Sequence, residues 1–169
     1  MKKVYINCKE TDSGKYGKAV EMQLKAALDL KICVSRQGRT DLRKACTNYE
    51  VKTGAGELGD LGKRLVKGCS AVLYVPVPVV SCDDNGEYID LASCDGYVLT
   101  RNDFLDALEE AGAIRTKRST SGAMKVTIQT FWNRSKNAPH GALLEKRLIP
   151  ALETYCSATL AEWLEQYEK

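Results

Sequence analysis

At 169 residues, with 44% hydrophobic and 28% charged residues, the chain suits a single globular domain that buries a real core. Its formal charge of +3 is only mildly basic, so any affinity for nucleic acid has to come from a local patch. No stretch has the length or apolarity of a membrane span, and Met1-Lys2-Lys3 runs into Val4-Tyr5-Ile6-Asn7-Cys8 without a signal-type apolar region, so a cytoplasmic protein with no membrane partner is expected.

Seven cysteines (Cys8, Cys33, Cys46, Cys69, Cys82, Cys94 and Cys156) form no CxxC, and the lone His140 has no cysteine nearby. That spacing argues against a structural zinc site and for reduced, partly buried thiols.

In chain order, residues 4–8 alternate weakly and read as a short strand. From Ser13 to about Leu30 the pattern turns helical, with Tyr16, Val20, Leu24, Ala27 and Leu28 on one side and Asp12 or Ser13 able to cap the start. Glu21 lies seven residues before Leu28, at the border of that stripe. It is either a solvated helix glutamate or a carboxylate that leans over the edge of a sheet. Lys31 to Ser35 is a strand, followed by a Gln-Gly turn.

The stretch from Thr40 to Gly54 is the most informative. It reads as a short β-hairpin, with Asp41 on the first strand and Tyr49-Glu50-Val51-Lys52 on the second. The period of two puts Glu50 and Lys52 on one face and Tyr49 and Val51 on the other. Nine residues separate Asp41 from Glu50, which lets two short strands bring both acids together. Carboxylates a few ångströms apart repel unless a cation sits between them, and Mg²⁺ fits because it prefers carboxylate and water oxygens.

After Gly54-Ala55-Gly56-Glu57-Leu58-Gly59 comes a helical stretch from about Asp60 to Lys67, then a β-rich run from Ala71 to Val77 that ends at the prolines Pro76 and Pro78. Ser81 to Gly96 is polar and reads as a loop or hairpin insertion. Tyr97-Val98-Leu99 is a short strand. Thr100-Arg101-Asn102-Asp103 is a capping-box arrangement for a helix with Phe104, Leu105, Leu108 and Ala111 on its apolar face and Gly112 at its end. Residues 115–125 are basic and polar without periodicity, and read as a loop. Val126 to Trp132 is strand-like and Asn133 to His140 is loop. The C-terminal part is helical, restarting at Pro150, with Leu152, Tyr155, Leu160, Trp163 and Tyr167 as a packing stripe. The whole of 1–169 is read as one domain, with a core over about 13–112 and a C-terminal strand, loop and helix over 113–169.

Asp41 followed by Glu50-x-Lys52 on a strand resembles the metal-dependent nucleases of the PD-(D/E)XK superfamily, with Thr40 standing where that family's proline would be. The order helix, three strands, helix, strand is also that of the family. The resemblance implies an α/β, restriction-endonuclease-like αβββαβ core, a mixed central sheet flanked by helices with an extra C-terminal helix. It further implies a Mg²⁺- or Mn²⁺-dependent deoxyribonuclease that hydrolyses phosphodiester bonds. Asp41, Glu50 and the backbone carbonyl of Val51 would hold the metal, and Lys52 would orient and help deprotonate the attacking water. Resolvase- and phage-type branches carry a glutamate near the metal on their first helix, and Gly17-Lys18-Ala19-Val20-Glu21 looks like that element. DNA is the implied partner, and a homodimer is one way to supply the second active site that cutting both strands requires.

Arg43, Lys44, Lys63, Arg64 and Lys67 are the candidate DNA contacts, together with the basic 115–125 segment; the alternative for each is a solvated surface cation. Two other readings compete. A protein of the same fold that has lost catalysis would bind or assemble on DNA, although all three motif side chains are present here. The GxGxxG of Gly54 to Gly59 also fits a dinucleotide loop, but the preceding strand carries Glu50 and Lys52, and no acid stands between Val72 and Val80 to hold a ribose.

Overall fold

Two neighbouring strands set the frame of the molecule, whose computed structural model describes residues 2–6, 12–28, 33–34, 41–44, 46–53, 70–112, 114–118, 124–128 and 147–168. β3 (Thr47–Thr53) and β4 (Ala71–Val75) lie parallel, with Glu50 beside Val72 and Lys52 beside Tyr74. β4 is the aliphatic run before the prolines, and all five of its residues are buried, as a strand covered on both faces requires. A parallel pair needs a crossover of about a dozen residues or more, and here it falls on residues 54–69, outside the described residues. The expected glycine turn, the helix from Asp60 to Lys67 and the Gln-Gly turn all lie there or in other segments not described.

The other strands add to these two. β1 (Cys33–Val34), β2 (Leu42–Lys44) and β3 form an antiparallel meander, and β7 (Tyr97–Thr100) pairs antiparallel with the far side of β4. A strand not foreseen in the sequence, β10 (Ala158–Thr159), closes the other edge against β7. The result is a mixed, mostly antiparallel six-stranded sheet in the order β1-β2-β3-β4-β7-β10.

The alternation along these strands sorts the core into two layers. On one face, Tyr49, Val51, Leu73, Val75 and Val98 pack against Val20 and Leu24 of α1 (Asp12–Ala27), Leu28 just beyond it, and Leu160, Trp163 and Leu164 of α4 (Leu160–Glu168). Tyr49 and Trp163 meet edge to face, 5.5 Å between ring centres. On the other face, Val72, Tyr74, Tyr97 and Leu99 pack against Phe104, Ala107 and Leu108 of α2 (Arg101–Glu110) and Ala151 and Leu152 of α3 (Ile149–Tyr155). The C-terminal stripe is therefore split: Leu152 serves one layer and Leu160 and Trp163 the other. β10 carries the chain between them.

Helix boundaries follow local chemistry. The Thr100 hydroxyl oxygen accepts the Asp103 N–H and the hydroxyl donates to the Asp103 carboxylate, so the expected capping box holds. Gly112, at φ +72°, takes the left-handed turn that ends α2. α1 is shorter than its periodicity suggests, and Tyr16, expected on its apolar side, is exposed.

Two further differences have plain causes. Residues 4–8 do not form a strand within the described part: Tyr5 makes a single bridge to Tyr88, and Ile6 N–H donates to Glu87 O. Their partner is the edge of a small hairpin, β5 (Val80–Asp83) and β6 (Gly86–Ile89), which occupies the polar insertion. Residues 115–125 are not simply a loop. β8 (Ile114–Arg118) and β9 (Met124–Ile128) pair antiparallel as a separate two-stranded ribbon, because Val126 and Ile128 supply opposite Thr116 and Ile114 the apolar alternation that β8 alone lacks.

Candidate functional site

The β2–β3 hairpin brings the sequence motif together. Leu42 pairs with Tyr49, which sets Asp41, just before β2, opposite Glu50. The Asp41 N–H donates to Tyr49 O at 3.1 Å, and Asp41 Oδ2 accepts the Val51 N–H at 2.8 Å. The side chain thus takes the ladder position that a further residue of β2 would fill. Backbone groups of one strand residue share a lateral direction, so the Val51 carbonyl faces the same edge as the Asp41 carboxylate.

Glu50 and Lys52 stand on the face of Val72 and Tyr74, as the period of two requires. The Glu50 side chain is 0% exposed, and Lys52 Nζ lies 2.9 Å from its Oε1 with 22% of the lysine side chain exposed. Two charges in a layer otherwise filled by Val72, Tyr74, Leu99 and Phe104 are costly unless paired, and this pair meets that cost in part.

Glu21 joins the site from the opposite side. α1 covers the Tyr49 and Val51 face, and Gly17 brings it close: a Cβ at that position would stand 3.2 Å from Thr53 Oγ1. One turn on, Glu21 has a pKa raised above the ordinary glutamate value, first by burial and then by the negative charge of Asp41, with Glu50 adding and Lys18 and Lys52 opposing. Its Lys18 partner lies at 3.7 Å. Glu21 is half-buried and stands within electrostatic reach of Asp41, Glu50 and Lys52.

Other expected contacts are less informative. Arg43 is exposed on β2, and Lys44 ends that strand opposite Thr47. Lys63, Arg64 and Lys67 lie outside the described residues, as does the Gly54 to Gly59 loop. Among the described residues, no three His, Cys, Asp or Glu side chains already stand together as a metal-binding group. Asp41 is engaged with Val51 N–H, and Glu50 with Lys52.

A row of side chains beside Lys52 was not singled out from sequence. Tyr74 neighbours Lys52 in register and Tyr97 neighbours Tyr74, so the three share one face. Burial raises the phenol pKa of Tyr74 above its ordinary value, and burial followed by Glu153 pushes Tyr97 up to about 12. The signal available was a tyrosine in an otherwise aliphatic buried strand, Ala71-Val72-Leu73-Tyr74-Val75.

No family model, curated protein or solved structure matches this chain. Among the described residues, no helix is long and apolar enough to cross a membrane.

Proposed function

We propose that the chain is a divalent-metal-dependent DNA phosphodiesterase on a restriction-endonuclease-like core, resembling the PD-(D/E)XK nucleases. The observation that carries this reading is the hairpin that sets Asp41 opposite Glu50 of the buried Glu50–Lys52 pair, with Glu21 within electrostatic reach from α1. The meander β1-β2-β3 followed by a β4 parallel to β3 supports the same core.

The donor set is all oxygen, as Mg²⁺ or Mn²⁺ prefers: the carboxylates of Asp41 and Glu50, the Val51 carbonyl, and Glu21. The Glu21 pKa is raised first by burial and then by the charge of Asp41, and a divalent cation would relieve the second of these. The all-oxygen donor set fits such an ion once Asp41 turns from the Val51 N–H. The chemistry such a cation supplies is Lewis-acid polarisation of a phosphoryl oxygen and a lowered pKa for water. Lys52 contributes a fixed ammonium beside the reacting phosphate. It orients the incoming water and neutralises charge that builds on the phosphoryl oxygens in the transition state. Glu50, held rigidly in the sheet, keeps that ammonium in place. The apolar layer of Val72, Tyr74 and Phe104 keeps water from weakening the interaction.

Calorimetric titration with Mg²⁺ and Mn²⁺, beside a digestion assay on linear and circular DNA, tests the reading. Wild type should bind metal and cut DNA, and Asp41→Asn should lose both. Absence of metal binding in the wild type would refute the reading. Metal binding without cleavage of any DNA form would favour the catalytically silent relative.

A further inference from the structure

The net charge of +3 conceals an uneven distribution. From Ala111 to Leu144 the sequence holds Arg115, Lys117, Arg118, Lys125, Arg134 and Lys136 but neither Asp nor Glu, so the rest of the chain is net −3. This acid-free segment is a local basic patch of the kind that affinity for nucleic acid requires. Part of it is the β8–β9 ribbon.

The register gives the ribbon two unlike faces. Ile114, Thr116 and Arg118 lie opposite Ile128, Val126 and Met124, which makes one face mainly apolar. Arg115 and Lys117 lie opposite Thr127 and Lys125, so three cations share the other face and Lys117 is directly across from Lys125. Like charges in direct cross-strand pairs are destabilising. A polyanion on the cationic face offsets that cost.

The topology also sets where the ribbon emerges. α2 starts at Thr100, at the end of the sheet remote from Lys52, and runs back over the face that carries Glu50 and Lys52. Phe104, one turn in, lies 6.0 Å from Tyr74, the register neighbour of Lys52. β8 follows α2 directly and lies against it, so the ribbon leaves from the catalytic end of that face.

We propose that the β8–β9 ribbon is a DNA-gripping arm in which Arg115, Lys117 and Lys125 bind duplex phosphates. Each strand of five residues spans about 17 Å, and the major groove admits a two-stranded ribbon. The proposal rests on DNA as substrate, and it concerns affinity rather than the bond-breaking step. Phosphate contacts of this kind carry no sequence preference by themselves.

The test measures binding of a 20-base-pair duplex by fluorescence anisotropy across a salt series in EDTA. The protein is full-length Asp41→Asn, with and without Arg115→Ser/Lys117→Ser/Lys125→Ser. Loss of three phosphate contacts should flatten the slope of log affinity against log salt by about 2–3 and weaken binding about tenfold or more at 0.1 M salt. A companion variant, Lys117→Arg/Lys125→Arg, keeps the charges and should keep the slope; circular dichroism checks that both variants fold. An unchanged slope in the folded triple variant, or no duplex binding by the parent, overturns the proposal, as does tighter binding of duplex RNA than of DNA. The catalytic reading is judged separately by cleavage: a wild type that cuts while the slope stays fixed sinks only the arm. A ribbon-dependent slope in a protein that never cuts leaves the arm standing and sinks the nuclease.

Discussion

β3 and β4 lie side by side in parallel register, yet they solve the problem of burial in opposite ways. Val72 and Glu50 are register neighbours on one face and both are 0% exposed. One contributes a branched aliphatic side chain to the core; the other contributes a carboxylate that needs Lys52. Apolar burial stabilises a strand by about 1.5–3 kcal/mol per large side chain, whereas a buried ion pair is often no better than an apolar pair of the same volume. The sheet would tolerate two strands like β4. That β3 departs from this pattern at two alternate positions, next to Asp41, points to a demand other than stability.

The largest effect should come from making β3 resemble β4. Glu50→Val/Lys52→Met removes the charged pair together and should leave the fold as stable as wild type or more so by about 0–2 kcal/mol, while cleavage falls by about 10³-fold or more. Lys52→Ala alone should lose as much activity but also about 3 kcal/mol of stability or more, because it leaves the Glu50 carboxylate buried beside a gap. Urea denaturation with a parallel digestion assay checks both. A destabilised double variant would mean that the pair serves the fold.

A middle-sized effect tests the other region. Thr100→Ala removes the capping hydroxyl at the end of β7, remote from Lys52, and should cost about 1 kcal/mol. Metal-dependent cleavage per folded molecule should stay at the wild-type rate.

The smallest effect concerns Glu21. Its raised pKa means that folding favours the protonated acid. That favourable contribution is full below the ordinary glutamate value and is lost as pH rises through the raised one. In metal-free protein, Glu21→Gln should therefore match wild type near pH 4 and melt about 1–2 °C higher near pH 8, an effect kept small by the solvent that reaches this group. Equal melting temperatures at both pH values would remove Glu21 from the acidic cluster.

What was legible in the sequence was what local spacing controls. The Asp41, Glu50 and Lys52 constellation, the aliphatic β4, the Thr100–Asp103 capping box and the stop at Gly112 all rest on residues within about ten positions of one another. β10 escaped because Ala158-Thr159 is too short to show a period and is defined only by pairing with Tyr97 and Val98. β8 escaped because Arg115, Lys117 and Arg118 mask its alternation until Val126 and Ile128 are set opposite it. The division of Leu152 from Trp163 between two layers depends on the crossing made by β10, which no side-chain periodicity encodes.

That crossing also has a consequence for how the chain reaches its native state. The segment 147–164 supplies Leu148, Ala151 and Leu152 to one layer and Leu160, Trp163 and Leu164 to the other. During synthesis, neither layer is complete until this stretch, made after the other described core elements, has left the ribosome, although α1 and the β2–β3 hairpin emerge well before it. The nascent chain therefore keeps apolar sheet surface uncovered on both sides, a state in which association with other unfinished chains competes with folding. The two layers are joined through one short strand, so the C-terminal segment supplies contacts to both.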